Sequence, residues 1–393
     1  MLSNPDQIII GYDQYRDRFY SIPSESRVHM LITGETGSGK SETLKLLIYQ
    51  HILRREGFML IDPHGSLARS VLKLLRDKLG EGERGEEEEF SKRIIYINPE
   101  VTSYRINPLE IKDYSRSHVV VMSFISALKN LYEYAWGDRL ETILRNAINL
   151  VVECDPPCTL AKVARVLADN RYRDMLVRGS GGDKDMEYFW QSVYPNYARE
   201  AFTAVYNKLD KLLSIASVRR TFNVEESNLD IEEAIEGQKV IIVDLASGFT
   251  DDIIKFLASL FIHMLYITAR RRIDRYSTEE LQSREKQYYL YIDEAQIIAS
   301  FAIREVLNAL RKFNIKVTLA TQTINAFEKQ VQKELPALCR TIICFRSDPD
   351  TAESFAYLFA VKPEQIYTLP LHYFYFYSQG EEVVKGLAKG YVI

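Results

Sequence analysis

Eight residues, Gly34-Glu35-Thr36-Gly37-Ser38-Gly39-Lys40-Ser41, have the types and spacing that hold a polyphosphate. Glycines at 34, 37 and 39 let the backbone wrap closely with no Cβ in the way, so successive N–H groups can point inward at phosphate oxygens. Thr36, Gly37, Ser38 and Gly39 would form this cradle. Ser41 and Glu42 open the next helix and bring its positive end to the same spot. Lys40 would reach the β and γ phosphates, and the Ser41 hydroxyl would ligate Mg²⁺. The plain alternative is a glycine-rich turn before an ordinary helix. The context argues against it, because Val28 to Ile32 leads in as a buried strand and Glu42 to Gln50 leaves with the apolar spacing of a helix.

A phosphate loop does not say what becomes of the phosphate. Leu290-Tyr291-Ile292-Asp293-Glu294 delivers two adjacent carboxylates to the end of an apolar strand, the edge of a parallel sheet where ligands sit. Asp293 is placed to hold Mg²⁺, directly or through water, and Glu294 to orient and deprotonate a water for attack on the γ-phosphate. A kinase would need an acceptor site instead. Thr321-Gln322 ends another strand, where the glutamine amide could bond the γ-phosphate and the attacking water or simply cap the strand. Asp62, ending a further strand, could reach Glu294 or that water, while His64 reads as a turn residue.

These residues need a sheet to gather them. Ile8 to Ile10 and Arg18 to Ile22 read as a hairpin, and Phe58 to Asp62 followed by a helix from Leu67 to Leu79 repeats the strand-helix order, which implies a parallel sheet. Residues 80 to 89 are a charged, solvated stretch. Arg93 to Ile97, Val240 to Leu245, Tyr288 to Asp293, Lys316 to Ala320 and Thr341 to Phe345 are further strands; the aromatic run Tyr373 to Tyr377 reads as a strand at the sheet edge and residues 382–392 as a closing tail. From about 115 to 236 apolar residues recur at helical spacing with no convincing strand. The expected fold is therefore α/β, a mainly parallel sheet interrupted by an all-α insertion: residues 1–114 and 237–393 form one domain around a helical domain at 115–236.

Composition sets bounds. The chain has 393 residues, 46% of them hydrophobic, and a formal net charge of −4, which leaves nucleic acid open provided that basic residues concentrate in a channel. Four cysteines, without nearby histidines, read as structural and point to the cytoplasm. The apolar run from Phe256 to Ala269 falls short of the roughly 20 residues a bilayer span needs and reads as a core helix. Arg270 to Arg272 with Arg275 is the densest basic cluster.

Residues 33–41, Ile61-Asp62-Pro63-His64-Gly65, Ile292-Asp293-Glu294-Ala295 and Leu310-Arg311-Lys312-Phe313 with Ala320-Thr321-Gln322 resemble the HerA/FtsK superfamily of DNA-pumping ATPases over nearly the whole chain. Asn107-Pro108-Leu109, Trp136 to Glu141 and the helical insertion look like its conjugation and type IV secretion branch, the TraG/TraD-like ATPases. The resemblance implies a RecA-like P-loop fold, ATP and Mg²⁺ as cofactors, and a homo-hexameric ring around DNA. It further implies ATP bound between neighbours and an arginine supplied across the interface. Arg311 matches the family's arginine before the glutamine-bearing strand; Arg139, Arg340 and Arg346 are reserves. The family's conjugation members usually carry an N-terminal membrane segment or extra domain, and only a short lead precedes Lys40 here. That is the pattern of a soluble motor docked on a separate membrane channel protein at the inner face of the membrane, or of a fragment of a longer protein. Abundant Ile, Tyr, Glu and Arg fit a thermophile, and the resemblance extends to DNA-import motors of crenarchaea. The same motor core would serve viral genome packaging or protein secretion, and an assembly protein with little turnover is the reading from another class.

Overall fold

In the computed structural model, described for residues 2–13, 17–24, 28–79, 91–131, 136–197, 199–246, 248–283, 287–298, 302–379 and 388–389, the apolar runs become one eleven-stranded sheet. Its strands are β1 (Gln7–Asp13), β2 (Arg18–Pro23), β3 (Met30–Thr33), β4 (Phe58–Asp62), β5 (Ile94–Ile97), β6 (Val240–Asp244), β7 (Tyr288–Ile292), β8 (Ile315–Thr321), β9 (Thr341–Phe345), β10 (Tyr373–Ser378) and β11 (Ala388–Lys389). They lie in the order β2-β1-β11-β10-β9-β3-β8-β7-β4-β6-β5. From β9 to β5 every pairing is parallel. Every residue of β3, β4, β6, β7 and β9 is buried, which is why these strands read as unbroken apolar runs. This is a RecA-like α/β fold. The charged stretch at 80–89 lies outside the described residues, as does the tail at 382–392 apart from 388–389.

The flank from β10 to β2 is antiparallel. The aromatic strand is therefore interior, not at the edge: β10 lies between β9 and β11, and Phe374 and Phe376 sit in the core. Their rings pack on Phe345 and Tyr20. The hairpin of β1 and β2 has a bulge between Ile9 and Gly11, and Gln50 compensates it. The Gln50 amide accepts from the Ile9 N–H at 2.8 Å and donates to the Ile9 carbonyl at 2.9 Å, fastening the helix Lys40–Leu53 to the flank.

The chain divides into two compact units, and the division differs from the boundaries read in the sequence. Residues 1–97, 232–246 and 268–393 carry the sheet; residues 98–231 and 247–267 form the second unit. The helical unit thus starts before 115, because the Asn107-Pro108-Leu109 turn belongs to it. Asn107 is buried, its amide donating to the carbonyls of Cys158 and Glu225 while its oxygen accepts from the Leu109 N–H. It also takes in most of the helix Asp251–Arg271, whose Phe256 and Phe261 pack edge-on against Phe124 and Phe222. That helix has 21 residues, more than its apolar run indicates, and by length and composition could cross a membrane; 72% of its most apolar window is buried, as befits a core helix. Among the described residues of this unit there is no strand.

Candidate nucleotide-hydrolysis site

The phosphate loop leaves the end of β3 with Gly34, Gly37 and Gly39 at φ of 159°, 77° and 124°. The last two values lie where an L side chain is strained, and a Cβ on Gly39 would stand 2.8 Å from the Phe345 ring. Lys40 is buried, and its ammonium donates to the carbonyls of Gly34 at 2.6 Å and Glu35 at 3.0 Å. Burial lowers its pKa, opposed by the negative charges of Glu294, Asp293 and Glu35 in that order. No side chain caps the helix Lys40–Leu53 at Gly39. Its first N–H groups thus remain donors for an anion. The Ser38 hydroxyl is buried without a hydrogen-bond partner, while Thr36, Gly37 and Ser41 are exposed. One oxygen of the Glu42 carboxylate pairs with Lys45 at 2.7 Å and the other is buried without a hydrogen-bond partner; toward an anion Glu42 offers its backbone N–H. The glycine cradle, the orphan hydroxyl and the uncapped helix fit a triphosphate.

Two strands supply the rest. Asp293 and Glu294 follow β7, and Gln322 follows β8, the strand between β7 and β3. Thr33 is in register with Thr321, and the Gly34 N–H donates to the Thr321 carbonyl at 3.2 Å. The loop and the tip of β8 are thereby fixed side by side. Glu294 has a left-handed backbone, φ 49°, that swings its carboxylate out of the strand direction. That carboxylate accepts the Gln322 amide at 3.0 and 3.1 Å and also the Gln296 amide. Burial pushes the Asp293 carboxyl up to about 6, with Asp62 and Glu294 adding to the rise; the hydrogen bond from the Glu294 N–H and the charge of Lys40 oppose it. A buried carboxyl with such unfavourable neighbours suits a divalent cation, which Asp293 and the Ser41 hydroxyl would hold.

Other expected residues are placed elsewhere. Asp62 does not reach toward Glu294 in a bond: its two oxygens accept the backbone N–H groups of His64 at 2.9 Å and Ala68 at 2.8 Å, so it caps the helix Ser66–Leu79. His64 is exposed on that turn. Arg311 is not beside its own phosphate loop. It is exposed in the last turn of the helix Ala302–Lys312, just before β8, whereas Gln322 follows the other end of that seven-residue strand. At about 3.3 Å per residue this is roughly 20 Å, beyond the reach of an arginine side chain. His29 fixes that helix, accepting the Val317 N–H at Nδ1 and donating from Nε2 to the Leu307 carbonyl. Arg311 lines a cavity of about 350 Å³ with Asn314, Lys316 and Gln287.

Of the reserves, Arg340 lies at the start of β9, at the Arg311 end of the sheet, and Arg139 is exposed in the helical unit. Arg346 is beside the phosphate loop, with its Nε 2.9 Å from the Glu35 carboxylate and its carbonyl accepting the Glu35 N–H at 2.7 Å. The basic cluster is partly internal: Arg272 is buried against Glu236 at 2.8 Å and Arg275 pairs with Glu232 at 2.5 Å. Gln296 was not singled out by the sequence; its only signal is its position directly after Asp-Glu-Ala.

Sheet order, phosphate loop and acidic strand tip define a RecA-like P-loop NTPase. Residues 25–265 match the family described as "Helicase HerA, central domain", and the chain belongs to that family. Among solved structures, the bacterial conjugative coupling protein TrwB, lacking its first 70 residues and unbound, is similar at 16% identity with a TM-score of 0.65, over 98% of this chain and 92% of that one. TrwB with ADP and Mg²⁺ gives 16% identity and a TM-score of 0.61, over 92% and 85%. VirB4 of Thermoanaerobacter pseudethanolicus gives 14% and 0.64, over 96% and 95%. At these identities the likeness is one of fold. No curated protein matches the chain.

Proposed function

We propose that the chain is the motor subunit of a homo-hexameric ring that hydrolyses ATP to move DNA, in conjugation-like transfer or import across a membrane. The observation that carries the ATPase reading is the Glu294 carboxylate, near enough to be the strongest acidic influence on Lys40 and hydrogen-bonded to Gln322 from the strand beside the phosphate loop. Membership of the HerA family and a fold shared with a conjugative coupling protein support DNA as the cargo.

The triphosphate would take the loop N–H groups from Thr36 to Glu42, and the Lys40 ammonium would exchange the Gly34 and Glu35 carbonyls for phosphate oxygens. Mg²⁺, held by Ser41 and Asp293, would neutralise charge on the phosphates. Glu294 takes a proton from the attacking water, whose oxygen bonds to the γ-phosphorus as the bond to the β–γ bridging oxygen breaks. Gln322, tethered to Glu294, is placed to sense the change. Arg311, remote from its own loop, would serve a neighbour's site across a subunit interface and stabilise charge on the transferred phosphoryl group. The ring would work in the cytoplasm at the inner membrane face, docked on a separate channel protein.

The test is ATP hydrolysis with and without single- and double-stranded DNA, beside Lys40→Ala and Arg311→Ala. Stimulation by DNA that both variants abolish is expected, with ATP binding lost in Lys40→Ala and kept in Arg311→Ala. Turnover indifferent to any DNA contradicts the cargo and favours protein secretion; absence of turnover contradicts the motor.

A further inference from the structure

Glu294 is the residue on which hydrolysis turns, yet nothing in its own strand holds it, since its backbone leaves the strand at φ 49°. Its carboxylate is held from outside. One donor is Gln322, at 3.0 and 3.1 Å; the other is Gln296, whose amide nitrogen donates to Oε2. Gln296 is itself oriented, because its amide oxygen lies 3.0 Å from the Thr321 hydroxyl, whose one proton it shares with the Thr323 carbonyl at 2.8 Å. An amide presents a donor and an acceptor at fixed separation, so satisfying both ends leaves one orientation. Thr321 is fully buried, and its carbonyl accepts the N–H of Gly34, the first glycine of the phosphate loop. A continuous line of hydrogen bonds thus runs from loop to base: Gly34 to Thr321, Thr321 to Gln296, Gln296 to Glu294.

We propose that Gln296 is a positioning residue for hydrolysis, holding the Glu294 carboxylate over the phosphate site through Thr321. This rests on the reading of Glu294 as the base. Gln322 holds the base less firmly by itself, since one of the two amide N–H groups it turns to the Glu294 oxygens would be given to the γ-phosphate during the cycle. Gln296 has no such second duty, because its other end is spent on Thr321. It keeps the base in place while Gln322 changes partner. A base displaced by about 1 Å costs on the order of a hundredfold in rate without weakening nucleotide binding, since neither glutamine end touches the loop's phosphate donors.

The experiment uses the full chain with Gln296→Met, which keeps the length and removes both hydrogen bonds, together with Thr321→Val, their double variant, and Glu294→Gln as control. Steady-state kcat and KM for ATP, binding of a fluorescent non-hydrolysable ATP analogue, and melting temperature are read for each. The expected result is a kcat lowered about tenfold or more in Gln296→Met, with KM, analogue affinity and melting temperature near those of the unsubstituted protein. The loss in Thr321→Val is expected to be smaller, and the double variant no worse than Gln296→Met, as for two members of one chain. An unchanged kcat, a KM that rises as kcat falls, or losses that multiply in the double variant would each overturn the proposal. Turnover retained in Glu294→Gln would instead sink the base assignment, so the two failures are distinguishable.

Discussion

The tips of β4 and β7 are neighbours in the sheet, in register, and each ends on a buried aspartate, yet they do opposite things. At the β4 tip both oxygens of Asp62 are occupied by backbone N–H groups of the next turn. At the β7 tip Asp293 accepts the Glu294 N–H, and burial beside Asp62 and Glu294 raises its carboxyl to about 6. One carboxylate has been used to build the fold; the other has lone pairs and an unfavourable charge left over for a cation. An acid at the end of a parallel strand is thus a candidate for chemistry only after the local backbone has been asked whether it already owns that acid.

The comparison can be broken in order of expected effect. Glu294→Gln keeps size and hydrogen bonding but removes the base; kcat should fall by about a hundredfold or more, checked by phosphate release, with ATP binding retained. Arg311→Ala should lower kcat about as steeply, and mixing it with Lys40→Ala subunits should restore part of the activity, because one of the two orientations of a mixed interface pairs an intact loop with an intact arginine. Failure to complement would remove Arg311 from the interface. Mg²⁺ dependence should follow the Asp293 carboxyl: the cation requires its ionised form, so between pH 7.5 and pH 5 the affinity for MgADP should drop about tenfold, measured by calorimetry, while metal-free ADP changes less. An unchanged Mg²⁺ requirement would take Asp293 out of the cation site. The smallest effect is expected of Arg346→Ala, which frees Glu35 from a partly exposed ion pair; melting should shift by no more than about 1–2 °C.

What the sequence made legible is what depends on near neighbours. The phosphate loop spans eight consecutive residues, and the Asp293-Glu294 tip follows directly from its apolar strand. The order β3-β8-β7 is not local, and neither is the interior position of β10, which depends on β11 and the N-terminal hairpin adding strands beyond it. The capping role of Asp62 was not legible because its partners are backbone N–H groups, which no residue type announces, although a helix starting four residues on hinted at a cap. The helix Lys329–Leu338 is not announced by the sequence because Pro336, which lies inside it, reads as a breaker. Arg272 belongs to the densest basic cluster of the sequence, and its burial against Glu236 depends on a residue 36 positions away.

The most direct measurement sets Asp293→Asn beside Asp62→Asn and reads both melting temperature and ATP turnover at pH 7.5. Asp293 has a folded-state pKa above its ordinary 3.8. Its contribution to stability is therefore full below about pH 4 and lost as pH rises through 6, and the ionised group costs on the order of 3 kcal/mol at pH 7.5 without Mg²⁺. Asp293→Asn should raise the melting temperature by roughly 2–6 °C and abolish turnover. Asp62→Asn points an amide at a backbone N–H and should cost about 1–3 kcal/mol of stability while leaving kcat within about twofold. Opposite signs in the two readouts are what the account predicts. If Asp62→Asn loses turnover without loss of stability, or Asp293→Asn destabilises and still hydrolyses ATP, the division of labour between the two strand tips is wrong.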